Sequence, residues 1–207
     1  METTKNTRRT NRAAVTIEDS PFARALFGDV RWAWIWLILR VYAGYQWLSA
    51  GWGKLHTATW TGNQAGVALS GFVNGALTKA TGTHPDVQGW YASFLQNLVL
   101  NHVSFWSYLV SWGETLVGIA LILGIFTGIA SFFAAFMNVN YLLAGAVSTN
   151  PILLIIEVFL ILAWKTAGWW GLDRWVLPAI GTPWRPGYIF PGERETGQKP
   201  TAGSGQV

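Results

Sequence analysis

Three ionisable residues lie inside segments that are otherwise apolar, where their side chains could bind and release protons. Arg40 lies in the stretch WIWLILRVYAGYQWLSAGWGKLH, which runs from Trp34 to His56, and Glu114 and Glu157 lie near the centres of two later apolar stretches. A charge at the centre of a bilayer costs about 2.5–3.5 kcal/mol on insertion scales, so it is rarely kept without a partner or a function. We therefore predict that the three side chains point inward and meet at one depth.

The chemistry of this predicted cluster depends on its charge balance. One arginine facing two glutamates is net negative, so either one carboxyl group is protonated or a donor such as Tyr42, Gln46 or Asn138 compensates. A carboxyl group between two protonation states suits quinone chemistry, because quinone reduction couples electrons to protons. The alternative is a buried ion pair that only fixes the register of the helices. The residues alone leave both interpretations open.

A second group of polar residues lies at the ends of the apolar stretches. Lys54, His56 and His102 are predicted to lie at the outer membrane boundary, where they could form a cationic site for an anion. The alternative is that they only contact lipid headgroups. Because no histidine lies inside an apolar stretch, no haem held by two histidines is predicted. The chain has no cysteine, so no cysteine-ligated iron–sulfur cluster is predicted, and no metal-binding motif is present.

The composition is typical of an integral membrane protein. Hydrophobic residues make up 51% of the 207 residues and charged residues only 12%, whereas about 25% is usual for a soluble domain. The chain also has 14 tryptophans, a residue that is enriched at membrane–water interfaces. Its net charge of +4 comes from basic residues near the chain ends, so we do not expect nucleic acid as a partner.

Four apolar stretches predict membrane-spanning helices. They cover about 31–53, 105–123, 126–147 and 151–169. Each is near the roughly 20 residues that a 30 Å hydrocarbon layer requires. Small residues recur at helical spacing in these stretches, which allows helices to approach closely. The fold prediction is therefore an all-α, four-helix membrane bundle over residues 20–177.

The remaining segments are predicted to be a cap and two tails. The loop between the first two spans contains AGVALSGFVNGAL and WYASFLQNLVL, which predict two short amphipathic helices over the outer mouth of the bundle. Residues 1–19 are basic and polar and predict a disordered tail, and residues 178–207 predict a cytoplasmic tail rich in proline and glycine. Asp173, in the segment WWGLDR, is expected to cap a helix or to pair with Arg174 or Lys165.

The distribution of basic residues predicts the orientation in the membrane. They are frequent before the first span and from Lys165 onward, whereas the loop 54–104 has only Lys54 and Lys79. The positive-inside rule then places both termini in the cytoplasm and the long loop outside. We therefore expect a multi-pass protein of the cell membrane.

Four segments of the sequence resemble the DoxX/DoxD membrane family. They are LRVYAGYQWLSAGWGKL, GETLVGIALILGIFTGIA, MNVNYLLAGAVSTNP and LAWKTAGWWGLDRWVLPAIGTPW. The resemblance covers about residues 20–185, and its last part is more similar to the DoxD branch, the large membrane subunit of thiosulfate:quinone oxidoreductase. It implies a four-helix subunit that passes electrons from thiosulfate to membrane quinone, giving tetrathionate, usually with a smaller partner subunit. It supplies no catalytic residues, so the predicted site depends on the polar layer.

The leading hypothesis is a quinone-linked oxidoreductase subunit with quinone as the electron acceptor. Arg40 is expected to stabilise a reduced, anionic quinone or to hold a carboxylate, while Glu114 or Glu157 carries protons. The predicted quinone-binding or substrate-binding residues are Tyr42, Gln46, Lys54, His56, His102, Asn138 and Asn140.

Two alternatives to this hypothesis stay open. The first is a membrane anchor or assembly subunit of another redox complex, and the second is a transporter of small solutes. Four helices without an internal repeat favour the transporter least. The partners that we expect are the lipid bilayer, quinone and a smaller subunit, with a homo-oligomer as a further option.

Overall fold

The computed structural model describes residues 20–182, and within this range every regular element is a helix. In chain order, the α-helices are α1 (Pro21–Gly28), α2 (Ala33–Leu55), α3 (Ala58–Thr61), α4 (Val67–Thr78), α5 (Gly89–Phe94), α6 (Val103–Leu123), α7 (Thr127–Leu143), α8 (Asn150–Leu162), α9 (Trp164–Ala167) and α10 (Asp173–Ala179). A π-helical turn, Leu95–Val99, and a 3-10 turn, Leu100–His102, join α5 to α6. The prediction of an all-helical protein is confirmed.

The helix bounds refine the predicted spans. The helices α2, α6 and α7 match the first three to within a few residues, but the fourth is broken, because α8 ends at Leu162 and α9 follows after one residue. Two predicted helices of the long loop appear as α4 and α5, and α3 was not predicted. The predicted N-terminal tail and residues 183–207 of the predicted C-terminal tail lie outside the described residues, whereas Pro178 and Ala179 end α10.

One helical segment of residues 20–182 is long and apolar enough to cross a membrane, namely the continuous run Gly89–Leu123. The helices α4, α7 and α8 are apolar but shorter, at 12, 17 and 13 residues. At about 1.5 Å per residue, α8 extends only about 20 Å, against a hydrocarbon core of about 30 Å. The prediction of four membrane-spanning helices is therefore supported for one helix and stays a prediction for the others.

Four helices pack around a shared apolar core. The helix α2 packs along α6, α7 packs along α8, and contacts of α6 with α7 and of α2 with α8 close the ring. Trp36, Trp47, Leu121 and Leu160 are among the buried core residues. We call the side with α1, α9 and α10 the α9 end, and the side with α3, α4, α5 and the loop between α7 and α8 the capped end.

The contact between α2 and α6 is close because glycine lies where the helices meet. A Cβ atom on Gly118 would lie 2.6 Å from the Cα atom of Leu48, and one on Gly51 would lie 2.9 Å from the Cβ atom of Glu114. Small residues at such positions let two backbones approach. The two helices therefore have a fixed antiparallel register, in which Leu48 faces Gly118 and Gly51 faces Glu114.

Hydrogen bonds fasten the capped end to the four-helix ring. The Lys79 ammonium group donates to the carbonyl oxygen of Gly145 at 2.6 Å, which ties the end of α4 to the loop between α7 and α8. The Tyr91 hydroxyl group donates to the backbone carbonyl oxygen of Asn140 at 2.9 Å, which ties α5 to α7. The short helices are thus held against the main helices rather than extending away from them.

The glycine contact predicts a sharp difference between two alanine substitutions. Gly118→Ala forces α2 and α6 apart, and overpacking of this kind costs about 1–3 kcal/mol of stability. Gly53→Ala is the matched control, because a Cβ atom there meets nothing within 4 Å. We expect thermal unfolding in detergent to show a lower midpoint for Gly118→Ala only. Equal midpoints for the two variants would contradict the register described here.

Candidate functional site

One face of α2 carries a hydrogen-bonding side chain every seven residues, at Arg40, Trp47 and Lys54. Seven residues are almost two helical turns and rise about 10 Å. The three side chains therefore share a face but lie at three depths. Arg40 is nearest the α9 end, Lys54 is nearest the capped end, and each side chain contacts a different partner.

Lys54 and Glu114 form an ion pair near the capped end. The ammonium group of Lys54 donates to Oε2 of Glu114, and the hydroxyl group of Tyr141 donates to Oε1 at 2.5 Å. Glu114 is only 1% exposed, and Lys54 also lies 5.0 Å from the centre of the Trp60 ring. A buried carboxylate needs such a counter-ion and further hydrogen bonds to offset its loss of water.

A cavity of about 480 Å³ adjoins this ion pair. Small-molecule sites usually have volumes of about 300–1,000 Å³. Its lining combines apolar side chains with seven polar ones. The polar lining residues are Gln46, Ser49, Lys54, Glu114, Tyr141, Thr149 and Asn150. The cavity thus brings hydrogen-bond donors and one buried carboxylate together with apolar side chains, a combination that is common in small-molecule sites.

Glu157 lies in a separate and fully buried environment. Its Oε1 atom accepts from Nε1 of Trp47 at 2.7 Å, and Nδ2 of Asn138 donates to its two oxygens at 2.8 and 2.7 Å. All three hydrogen bonds come from neutral groups. Trp47 lines the cavity but Glu157 does not, so the indole ring lies between the carboxyl group and the cavity.

Arg40 contacts the α9 end. Its Nη2 atom donates to the carbonyl oxygen of Trp170 at 3.2 Å, and the opposite charge nearby is that of Asp173. A Cβ atom on Gly171 would lie 2.8 Å from Nη1 of Arg40, and one on Gly124 would overlap the guanidinium group. The two glycines therefore leave the space that the arginine side chain fills.

Asp173 caps the N-terminus of α7 although it lies 46 residues after Thr127 in sequence. Its carboxylate accepts from the backbone N–H groups of Phe126 at 2.5 Å and Thr127 at 2.9 Å. A carboxylate at a helix N-terminus satisfies backbone donors that have no partner within the helix and interacts favourably with the helix dipole. The expectation that Asp173 caps a helix is confirmed, and Arg174 instead lies 4.7 Å from the centre of the Trp169 ring.

The prediction that Arg40, Glu114 and Glu157 meet in one layer is wrong. Glu114 faces Gly51, which is eleven positions after Arg40 on α2, a distance of about 16 Å along the helix axis. The prediction assumed that each polar residue lay at the midpoint of its span. Arg40 in fact lies in the first half of α2, so the three charged groups find separate partners.

The other predicted binding residues are divided among several places. Gln46 lines the cavity, and its Nε2 atom donates to the hydroxyl group of the exposed Tyr42 at 3.2 Å. Asn138 bonds Glu157, as described above. Asn140 accepts from the Tyr91 hydroxyl group and supports the cap. Of these four predicted residues, Gln46 is the one that lines the cavity.

The predicted cationic site of Lys54, His56 and His102 is not assembled. Lys54 turns inward to Glu114, while Nδ1 of His56 lies 2.9 Å from the carbonyl oxygen of Trp52 and its ring packs on that indole at 4.3 Å. His102 is exposed at the residue before α6. Among the described residues, no hydrogen bond joins these three side chains to one another.

Two residues of the site were missed by sequence reasoning, although the signals for both were present. Trp47 lies midway between Arg40 and Lys54 on the same face of α2. Tyr141 lies one helical turn after Asn138, so it continues the inward face of α7. Neither residue is among those predicted from the sequence.

Comparison with known proteins gives one match. The family model described as DoxX matches residues 35–146, just over half of the chain. No curated protein and no solved structure matches the chain. The matched range contains Lys54, Glu114 and Tyr141 and ends before Glu157 and Asp173. It also ends before most of the residues that resemble the DoxD branch, so the match does not bear on that finer resemblance.

The ion pair predicts a compensating pair of substitutions. Lys54→Met leaves Glu114 buried without its cation, and breaking a buried pair in this way costs about 3–5 kcal/mol. Adding Glu114→Gln removes the uncompensated charge, so the double variant should recover much of the lost stability. Unfolding in detergent of the wild type, both single variants and the double variant measures the coupling. Losses that simply add would show that the two groups do not interact.

The Asp173 cap predicts a local change at the start of α7. Asp173→Ala leaves two backbone N–H groups without their acceptor, and each unsatisfied buried donor costs about 1–3 kcal/mol. We expect faster hydrogen exchange over residues 125–130, read by mass spectrometry, and a lower unfolding midpoint. The control is Asp86→Ala in an exposed turn. Exchange at α7 that matches the control would refute the capping role.

Proposed function

The chain belongs to the DoxX family of membrane proteins, and from this premise we propose that it is the membrane subunit of a quinone-linked oxidoreductase. The family is linked to redox and quinone-related functions. The proposed substrates are thiosulfate as the electron donor and membrane quinone as the acceptor. Two thiosulfate ions give one tetrathionate ion and two electrons, and the quinone takes up these two electrons with two protons to give quinol.

The observation that carries the proposal is the buried ion pair at the wall of the cavity. A quinone ring needs donors for its carbonyl oxygens and a route for protons. Lys54 has three N–H donors and gives one to Glu114, which leaves capacity for a ligand. Glu114 and Tyr141 share a hydrogen bond at the same wall. We assign hydrogen bonding of the quinone to Lys54 and proton transfer to Glu114, since a positioned carboxyl group is an effective acid or base.

The other two charged residues receive different roles in this proposal. Glu157 holds Trp47 and Asn138 in place, because its oxygens accept all of their hydrogen bonds described above. Arg40 holds the α9 end together through Trp170 and Asp173. We therefore propose that both residues position the structure and that neither contacts quinone, in contrast to the catalytic roles expected from the sequence.

The arrangement in the membrane is part of the proposal. We propose that α2, α6, α7 and α8 all cross the bilayer as a four-helix bundle in the cell membrane, with both termini in the cytoplasm. The capped end then faces outward, on the side where the long loop has few basic residues. A smaller partner subunit would take the thiosulfate step, in keeping with the resemblance to the DoxD branch.

The test is reduction of decylubiquinone by membranes that contain the chain and its co-purifying subunits, with thiosulfate as donor. Glu114→Gln should lower the rate per molecule by about 10²-fold or more, since general acid–base catalysis contributes about 10²–10⁴-fold. Glu157→Gln removes the same charge away from the cavity and should lower the rate per molecule far less. Protein level is measured by immunoblot in each sample.

The outcomes separate the remaining functions. Equal turnover per molecule in the wild type and Glu114→Gln, with less assembled complex in the variant, favours an anchor or assembly role. Solute uptake into proteoliposomes without any redox change favours transport. The proposal would be refuted if the wild-type preparation, with all co-purifying subunits present, does not reduce a quinone analogue.

A further inference from the structure

The cavity is lined by exposed residues on one side, between α2 and α8. Ser49 and Ala50 line it from α2, and both are exposed. Thr149, also exposed, and Leu153 line it from the start of α8. These residues mark the side on which the cavity is open, which we call the portal. In the membrane arrangement proposed above, Ser49 and Ala50 lie within the span of α2, which places the portal toward lipid.

The capped end of the cavity is covered. Leu69 and Phe72 of α4 belong to the lining, and Phe72 packs edge-on against Tyr141 with ring centres 6.1 Å apart. Behind them, the bond from Lys79 to Gly145 holds α4 against the loop between α7 and α8. The cavity is therefore covered on the side of α4 and open at the portal.

The charge at the cavity wall selects the class of ligand. Lys54 is the cation of the lining and Glu114 is its anion, and the two are paired. A small dianion such as thiosulfate would therefore meet no net positive charge in the cavity. Trp47 and Tyr141 both line the cavity, and their rings stack on each other with centres 6.2 Å apart and planes inclined by 25°. A neutral, flat ring with carbonyl acceptors fits both features.

We propose that the portal admits the ring of an isoprenoid quinone directly from the bilayer, while its tail stays in lipid between α2 and α8. The ring lies against Trp47 and Tyr141, and one carbonyl oxygen accepts a hydrogen bond from Lys54. This inference rests on the proposed function for its choice of quinone. It adds the route of entry, the orientation of the ring and the exclusion of thiosulfate from this cavity.

The experiment uses a photoreactive azido-quinone with a decyl tail, added to the full-length protein in lipid nanodiscs. Mass spectrometry should locate the adducts on residues 46–54 and 149–153, and unlabelled decylubiquinone should compete while thiosulfate does not. Ala50→Phe fills the portal and should reduce labelling there by about tenfold or more, equivalent to about 1.4 kcal/mol of binding free energy. The matched control is Ile38→Phe, an exposed α2 residue away from the cavity.

The possible results each decide the inference. Equal portal labelling of Ala50→Phe and the wild type, adducts confined to the α9 end, or competition by thiosulfate would overturn it. If Ala50→Phe does not accumulate, the adduct map of the wild type decides alone. Labelling at the portal that unlabelled decylubiquinone suppresses, without thiosulfate-dependent quinone reduction, would support this inference and rule out thiosulfate as the electron donor. Thiosulfate-dependent quinone reduction that is unchanged in a folded Ala50→Phe variant would support the proposed function and refute entry through the portal.

Discussion

The close approach of α2 and α6 is the constraint on which the rest of the structure depends. Without a Cβ atom at Gly51 and Gly118, the two backbones lie against each other in the observed register. That register puts Glu114 within reach of Lys54, one turn further along α2 than the glycine it faces. A bulkier residue at either glycine would separate the carboxylate from its cation as well as the helices.

The structure gives each buried ionisable side chain its own partners rather than gathering these side chains in one cluster. Glu114 has Lys54, Arg40 has a carbonyl group and the charge of Asp173, and Glu157 has neutral donors. Because each buried ion must recover part of its lost hydration from its neighbours, this division requires a separate set of partners at each depth. The spacing of seven residues along α2 provides them, since it returns a side chain to the same face at intervals of about 10 Å.

The sequence carried more information about secondary structure than about the depth at which each polar side chain lies along the helix ring. Apolar composition and helical spacing were sufficient to predict α2, α6 and α7 to within a few residues, and inward polar residues such as Glu114 and Glu157 are indeed buried. The prediction of one common depth was wrong because depth depends on how far one helix is displaced along another. Gly51 and Gly118 fix that displacement through a contact between the two helices, which the sequence of either helix alone does not reveal. The sequence predicted that Asp173 caps a helix but did not show which one, since Thr127 lies 46 residues away in sequence.

The two ends of the helix ring differ in a way that bears on where chemistry can occur. At the α9 end, Arg40 fills the space left by Gly124 and Gly171, and Asp173 locks the turn between α6 and α7. At the capped end, the paired charges line a cavity. Arg40 therefore has the space around it filled, whereas the ion pair of Lys54 and Glu114 lies beside open volume. The capped end is therefore the part of this chain where a bound ring could gain a hydrogen bond from Lys54 while Glu114 keeps that of Tyr141.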